Sequence, residues 1–418
     1  MKVLFVVKSM AIEPLGPMYL AAVVKQAGHE AKIIDVENAF MFSKLWKPEM
    51  IGFSVMTGDQ KRFIALAGEI KDYWVRKKNA PAILVGGPHV TFFPEDFKDN
   101  DNINMVVKGE GEDILAELLH SPVQYPSIDD FPWPDRTDFA GHRIRDFIAS
   151  RGCSYNKCGY CYNGAWTKLF PDLAQVRTRS VGDVINEINS TAAEFVYFQD
   201  STFAPSMKWM REFAVAYRRS INIPYHVHLR PNQVTEERVL LLHDSNCVSV
   251  KIALETASDR LRQLINRGNT NNKDALTASR LFKKWDIQLI LQNILGLPTA
   301  TIEDDLATLE VNIQCKPAYA WSSIFQPYPA TELGDWCKKE GLYLGDYSEI
   351  SDSFFDKSVL NIPEEHKEQI VCLQRIFAFC VEMQIMPEIR DLTYETLPMF
   401  IHKSMRKIGD RRMFPGII

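Results

Sequence analysis

Along the first 120 positions the apolar residues fall into two alternating patterns. Val3–Val7, Ala31–Val36, Met50–Val55, Ala82–Val85 and Met105–Val107 are short apolar runs rich in β-branched residues. Strands buried on both faces of a parallel sheet read this way. Met18–Ala27, Gln60–Lys77 and Asp113–His120 instead repeat apolar residues at helical spacing. The alternation predicts an α/β unit, a doubly wound parallel sheet of Rossmann type whose ligands sit beyond the carboxyl ends of its strands. The loops at those ends hold Ser54 and Thr57-Gly58, then Gly86-Gly87-Pro88-His89-Val90-Thr91, then Gly109-Glu110-Gly111-Glu112. Paired glycines let a backbone approach a ligand, and Ser54 and Thr57 offer hydroxyls to a phosphate or amide tail. The same glycines suit ordinary tight turns equally well. Neither a G-x-G-x-x-G nor a Walker A pattern is present, which disfavours a nicotinamide or ATP site.

Pro122, Pro126, Pro132 and Pro134 then interrupt the pattern, with Phe131 and Trp133 among them. Such a stretch predicts a semi-rigid linker, placed at 126–143, after a first domain of residues 1–125. A second β/α series fills 144–335. Its strands are predicted at Phe147–Ser150, Glu194–Gln199, Tyr225–Leu229, Ser249–Leu254, Leu289–Leu295 and Ser322–Gln326, with helices at Val181–Ser190, Met207–Ser220, Glu236–His243, Ala275–Trp285 and Ile302–Ile313. That number of units fits a partial (β/α)₆ barrel, with Asp200, Arg230, Glu255, Gln292 and Gln326 at its mouth. Residues 336–418 read as a small helical domain built on Pro363–Met386 and Tyr394–Lys407, with Cys372 and Cys380 as core thiols.

The chemistry concentrates at 151–162, Arg-Gly-Cys-Ser-Tyr-Asn-Lys-Cys-Gly-Tyr-Cys-Tyr. Cys153, Cys158 and Cys161 are close enough to converge on one inorganic centre, and thiolates select zinc or an iron–sulfur cluster. Three ligands leave one position open, which suggests chemistry rather than a staple. A structural zinc knuckle completed by Cys247 or His142 is the alternative. Eight cysteines in 418 residues are too sparse for a disulfide scaffold. A net charge of −5 argues against a general nucleic-acid binder. The strand-like Val3–Val7 follows Met1-Lys2 directly and no apolar run is long enough to span a bilayer, so the expected location is cytoplasmic.

With these features in place, the chain resembles the cobalamin (B12)-binding radical S-adenosylmethionine (SAM) enzymes over roughly residues 1–335. In the first domain the resemblance is carried by LGPMYLAAVVKQAGHEAKIID, VGGPHVT and VKGEGE, and at the junction by FPWPDR. In the barrel it is carried by RGCSYNKCGYCYN, VYFQDSTF, IALETASDRLRQLINRG, NILGLPTAT and FQPYPATEL. Two features depart from the family. Four residues rather than three separate Cys153 from Cys158, and the D-x-H-x-x-G motif whose His binds cobalt is missing after the first strand. His29 and His89 do not sit in such a motif, and Lys8, Ser9 and Met10 are the nearest candidates to face the lower side of cobalamin.

The resemblance implies that Cys153, Cys158 and Cys161 hold a [4Fe–4S] cluster whose open iron chelates SAM. It assigns Tyr160 to the adenine, Asp200 to the SAM ammonium, Glu255 to the ribose and Arg267 to the SAM carboxylate. It assigns Ser54, Thr57, Gly86, Gly87, His89, Thr91, Gly109 and Glu110 to cobalamin. The implied activity is methyl transfer to an unactivated carbon of a small molecule, through a 5′-deoxyadenosyl radical and methylcobalamin. Flavodoxin or ferredoxin is the implied type of electron donor. Cyclisation, ring contraction or another rearrangement is the enzymatic alternative, and a non-catalytic corrinoid or cluster carrier is the alternative outside enzymes. His226, His228 and Arg230 share one face of their strand, and Gln326 and Tyr328 lie near the last strand, where substrate contacts are possible.

Overall fold

The computed structural model describes residues 1–75, 77 and 79–413. The first domain alternates β1 (Lys2–Val7), α1 (Leu15–Gln26), β2 (Glu30–Asp35), α2 (Val36–Trp46), β3 (Met50–Ser54), α3 (Gln60–Val75) and β4 (Ala82–Gly86). The short α4 (Pro88–Phe92) and α5 (Glu95–Lys98) follow, then β5 (Met105–Val106) and α6 (Glu112–Leu118). All strands run parallel in the order β2-β1-β3-β4-β5. β1 is buried along nearly its whole length, as its unbroken apolar run requires. The sequence pattern did not predict α2. Its start depends on a cap, the Asp35 carboxylate accepting the Asn38 N–H at 3.0 Å. The helix predicted at Gln60–Lys77 ends at Val75 in the structure, and Arg76 lies outside the described residues.

The second series opens with β6 (Ile144–Phe147), not with Phe147–Ser150 as expected. β7 (Ser150–Arg151) leaves that strand and pairs antiparallel with β8 (Arg177–Thr178), framing the cysteine loop and α7 (Tyr162–Leu169). Then come α8 (Val181–Asn189), β9 (Phe195–Phe198), α9 (Met207–Ser220), β10 (Tyr225–Leu229), α10 (Glu236–Asp244), β11 (Cys247–Glu255), α11 (Asp259–Leu264), α12 (Asn272–Lys284), β12 (Gln288–Leu295), α13 (Ile302–Cys315) and β13 (Tyr319–Ile324). Their parallel order β13-β12-β11-β10-β9-β6 is that of a six-stranded open barrel. The last strand lies earlier than the predicted Ser322–Gln326, so Gln326 sits in the loop beyond it. α14 (Glu332–Lys339), capped by Thr331, was also absent from the sequence reading. α15 (Glu364–Met383) packs on β13 and α13 with Cys372 and Cys380 fully buried, and α16 (Leu397–Met413) follows. Residues 414–418 of the predicted helical domain lie outside the described residues. No helix among the described residues is long and apolar enough to cross a membrane.

A buried ionic network locks the two sheets together. The Glu13 side chain, with no exposure to solvent, accepts from Arg136, from Arg145 at 2.5 Å and from the Asp146 N–H at 2.8 Å. Arg136 also reaches Glu187 at 2.9 Å, and Glu187 takes Arg179 at 2.5 Å. On the opposite side a strap from the C-terminal region returns to the first domain. Lys8 pairs with Asp59 at 3.4 Å and Asp352 at 3.1 Å, Gln60 donates to the Tyr347 carbonyl, and Phe93 packs edge-on against Tyr347. Lys8, expected to face cobalamin, is therefore committed to two carboxylates.

Removing one member of a buried ion pair leaves the other charge uncompensated, at a cost of about 3–5 kcal/mol. Glu13→Ala is expected to destabilise the protein by about that amount in denaturant unfolding. A second expectation concerns Asp305, fully buried on α13, which accepts the Gly296 N–H at 2.9 Å. Burial pushes its carboxyl up to about 8. A raised carboxyl favours the protonated native form, so its stabilising contribution is complete below the usual Asp range and is lost as pH rises toward 8. Asp305→Asn should flatten the fall in thermal midpoint between about pH 4 and pH 8, seen in parallel melts of the two proteins.

Candidate active site

The cysteine loop hangs between the two sheets. Gly152 takes φ +100° and Asn156 takes φ +43°. Asn tolerates the left-handed region better than other side-chain residues, and its amide here donates to the Ala174 carbonyl at 3.1 Å. This turn at Asn156 lies inside the four-residue gap between Cys153 and Cys158. Gly159 then ties the loop to the barrel, its N–H donating to Ile265 and its carbonyl accepting from Leu333 at 2.8 Å. A Cβ at Gly164 would stand 2.9 Å from the Cys158 carbonyl, so only glycine lets α7 pack this closely.

All three cysteine side chains line one cavity of about 450 Å³ at the barrel mouth, together with Tyr160, Glu255 and Arg267. Arg267 lies 3.8 Å from Cys158 Sγ and 3.6 Å from the Glu255 carboxylate, while Tyr160 O–H donates to Glu255. The Cys153 sulfur meets the Thr202 hydroxyl at 3.6 Å, and the Asn163 amide meets Cys161 Sγ at 3.6 Å. Burial raises the Cys158 thiol and raises Cys161 to about 11. Glu255 reaches this mouth through a backbone device. β11 shifts register between Ala253 and Glu255, and Glu255 adopts φ +65°. A residue with a side chain held there is strained, and such strain persists where the surroundings enforce it.

Some expected residues are placed elsewhere. Asp200, assigned to the SAM ammonium, is almost fully buried, and its two carboxylate oxygens accept from Ala149 N–H at 2.9 Å and Ser150 O–H at 2.6 Å. It braces the start of the cysteine loop, and Gln199, Ser201 and Thr202 line the cavity instead. Burial pushes its carboxyl up to about 6. Cys247, offered as a fourth zinc ligand, is buried in the apolar core around β11, away from this cavity, and His142 packs on Phe139. Among the described residues no three His, Cys, Asp or Glu side chains form a closed ligating group. The thiols share a cavity wall, and their chemistry fits a soft inorganic centre. The buried Nε atoms of Arg230 and Arg267 have no partner, so the same wall has donors to spare.

A second, apolar cavity of about 290 Å³ lies under the strand ends of the first domain. Ser54, Gly86, Gly87, Gly109 and Glu110 line it. Thr57, His89 and Thr91 do not. His89 sits buried between the Thr57 hydroxyl at 3.0 Å and Asp96 at 2.9 Å, and Thr91 accepts the Gly109 N–H at 3.1 Å, so these three brace loops. At Gly87 (φ +96°) a Cβ would stand 2.7 Å from the Val55 backbone. An apolar pocket walled by bare glycine backbone fits the tail of a large flat ligand. The residue that the sequence reading missed is Arg151. It lines this cavity, immediately precedes the cysteine loop, and pairs with Glu110 at 3.3 Å and Glu112 at 2.5 Å. An arginine opening a cysteine motif was the available signal.

A doubly wound sheet joined to an open barrel, with a glycine-walled pocket in the first and thiols at the mouth of the second, defines an enzyme with a candidate cofactor site in each part. Residues 1–119 match the family described as B12 binding domain, and residues 147–311 match the Radical SAM superfamily. The chain is 26% identical over 382 residues to an uncharacterized methyltransferase, PH0819, of Pyrococcus horikoshii, covering 79% of this chain and 80% of that protein. It is 24% identical over 375 residues to the anaerobic magnesium-protoporphyrin IX monomethyl ester cyclase of Cereibacter sphaeroides, covering 77% of this chain and 59% of that relative. The radical SAM methyltransferase TsrM from Kitasatospora setae, solved with cobalamin and a [4Fe–4S] cluster, superposes with a TM-score of 0.64 at 18% identity, over 82% of this chain and 79% of that one. The chain belongs to the cobalamin-binding radical SAM enzymes, whose cofactors are a [4Fe–4S] cluster, SAM and cobalamin.

The different placements of Asp200 and Glu255 separate their expected roles. Glu255→Gln should weaken SAM binding about tenfold, the value of one hydrogen bond to a charged group. Asp200→Asn should lower the thermal midpoint while leaving SAM affinity within about twofold, because a lost acceptor at a buried brace costs folding rather than ligand. Equilibrium dialysis with labelled SAM and parallel melts read both effects.

Proposed function

We propose that the protein is a cobalamin-dependent radical SAM methyltransferase acting on an unactivated carbon of a small molecule. The observation that carries this reading is the presence in one chain of a three-cysteine cavity at the barrel mouth and a glycine-walled pocket in the first domain, with Arg151 of that pocket leading directly into the cysteine loop. The Pyrococcus horikoshii relative and the structural relative TsrM are both named methyltransferases.

When bound, the cluster with SAM supplies hydrogen-abstracting radical chemistry, and cobalamin supplies a methyl carrier. Cys153, Cys158 and Cys161 would hold the cluster. Asn163 and Arg267 stand at the Cys161 and Cys158 sulfurs as donors, which steadies thiolates inside a buried site, and the Thr202 hydroxyl lies against Cys153. Tyr160, Glu255 and Arg267 form one hydrogen-bonded patch for the nucleoside and its polar tail. Ser54, Gly86, Gly87, Gly109 and Glu110 would hold the corrinoid, with Glu110 fixed by Arg151 and Arg177. Phe354 from the strap lines the far end of the barrel space.

The cyclase relative keeps ring formation as the second reading. Anaerobically reconstituted protein given SAM and a low-potential reductant should release both 5′-deoxyadenosine and S-adenosylhomocysteine, quantified by mass spectrometry. 5′-Deoxyadenosine alone would favour rearrangement. Cys158→Ala should abolish 5′-deoxyadenosine, and continued release from that variant would remove the cluster assignment.

A further inference from the structure

One cation in the barrel has no task in the cofactor readings. Lys251 lies on β11 four residues before Glu255, so strand alternation turns it into the same interior. Its side chain lines the barrel cavity, and its ammonium stands 5.5 Å from the Trp321 ring centroid. Among the described residues its hydrogen-bond partner is the Tyr197 hydroxyl at 3.0 Å, and no carboxylate pairs with it. Burial lowers the Lys251 ammonium, with no acidic neighbour to offset that. Arg230, the other cation of this wall outside the Glu255–Arg267 pair, is stacked on Tyr155 and faces Cys153 and Cys158, whose thiolates would balance it.

A directional hydrogen-bond chain fixes what Lys251 can do. The Asp200 carbonyl faces His228 Nδ1 at 3.2 Å, and a carbonyl only accepts, so Nδ1 carries the ring proton. His228 Nε2 is then an acceptor, and the Tyr197 O–H, 3.1 Å away, donates to it. Tyr197 oxygen is left to accept from Lys251. Burial, with Lys251 alongside, pushes His228 down to about 4, and burial, His228 and Lys251 push His226 down to about 3, so both rings are neutral. Among the described residues no group beyond Tyr197 accepts from the Lys251 ammonium, so its remaining N–H bonds point into the cavity unengaged.

An independent observation lies farther along the same wall. A second space of about 260 Å³ shares Tyr160, Gln292, Trp321 and Ser323 with the first and ends at Gln326. Gln326 is only 4% exposed. Its Nε2 donates to the Lys357 carbonyl at 3.0 Å, which orients the amide, and its Oε1 has no partner. A buried unpaired acceptor costs about 1–3 kcal/mol unless a ligand supplies a donor.

We propose that the barrel takes a small anionic substrate, its carboxylate or phosphate held by Lys251, its body against Trp321 and a hydrogen-bond donor met by Gln326. The assignment names the substrate class of the methyl-transfer site and rests on that reading for its catalytic meaning. The test uses ligand-observed NMR on reconstituted holoprotein with SAM present, and three probes: 3-phenylpropanoate, 2-phenylethyl phosphate and neutral 3-phenylpropanamide. At least one anion should bind ten times more tightly than the amide, and the tighter anion identifies the group. Lys251→Met should abolish that preference and Lys251→Arg should keep most of it, with iron and cobalamin content unchanged in both. Should Lys251→Met lose its iron through misfolding, Lys251→Gln carries the same comparison. No anionic preference in the parent protein, or a preference surviving without Lys251, overturns the proposal. SAM cleavage read in the same samples keeps the two readings apart: anion preference without 5′-deoxyadenosine would remove the methyltransferase reading and leave the anion site standing.

Discussion

Glu13 is a carboxylate sealed from water between Arg136 of the linker and Arg145 of β6. Much of the molecule depends on that arrangement. A buried charge is tolerable only when its partners are held in place, so Glu13, Arg136, Arg145, Glu187 and Arg179 act as a geometric key rather than as a large source of stability. They fix β6 against the loop after β1, and thereby the side of the barrel on which the cysteine loop emerges. The C-terminal strap fixes the opposite side through Lys8, Asp59 and Asp352. Between these two clamps the strand ends of both sheets face one another.

The site uses this frame at different depths. The thiols, Tyr160, Glu255 and Arg267 lie at the mouth, where the register shift in β11 turns Glu255 toward them. Lys251 lies deeper, earlier along β11 than Glu255, and Tyr197 and the two histidines stand on the neighbouring β9 and β10. Depth in a barrel is counted along the strand, so position on β11 separates the level of Glu255 from the level of Lys251.

Much of this was legible in the chain. Unbroken apolar runs located both parallel sheets, and the cysteine spacing located the centre. Three kinds of feature were not. α2 and α14 begin at caps, Asp35 and Thr331, which carry little periodic signal. Asp200, His89 and Thr91 have side chains suited to ligands, and only the fold reveals that backbone amides and neighbouring side chains already satisfy them. Lys251 was overlooked because a single lysine in an apolar run reads as surface, whereas strand alternation puts it inside. Asn156, inside the four-residue gap between Cys153 and Cys158, likewise adopts a backbone conformation that residue counting does not reveal.

Arg151 has one further consequence. It contacts Tyr19 and Phe131 through its guanidinium face, pairs with Glu110 and Glu112, and is covalently continuous with the cysteine loop. Its side chain belongs to the pocket and its backbone runs into the loop, which gives the two binding equilibria a covalent route to linkage. Whatever factor an occupant of the glycine-walled pocket adds to affinity at the loop, an occupant of the loop must return to the pocket. Any coupling between the two loads is therefore equal in both directions, whichever site fills first.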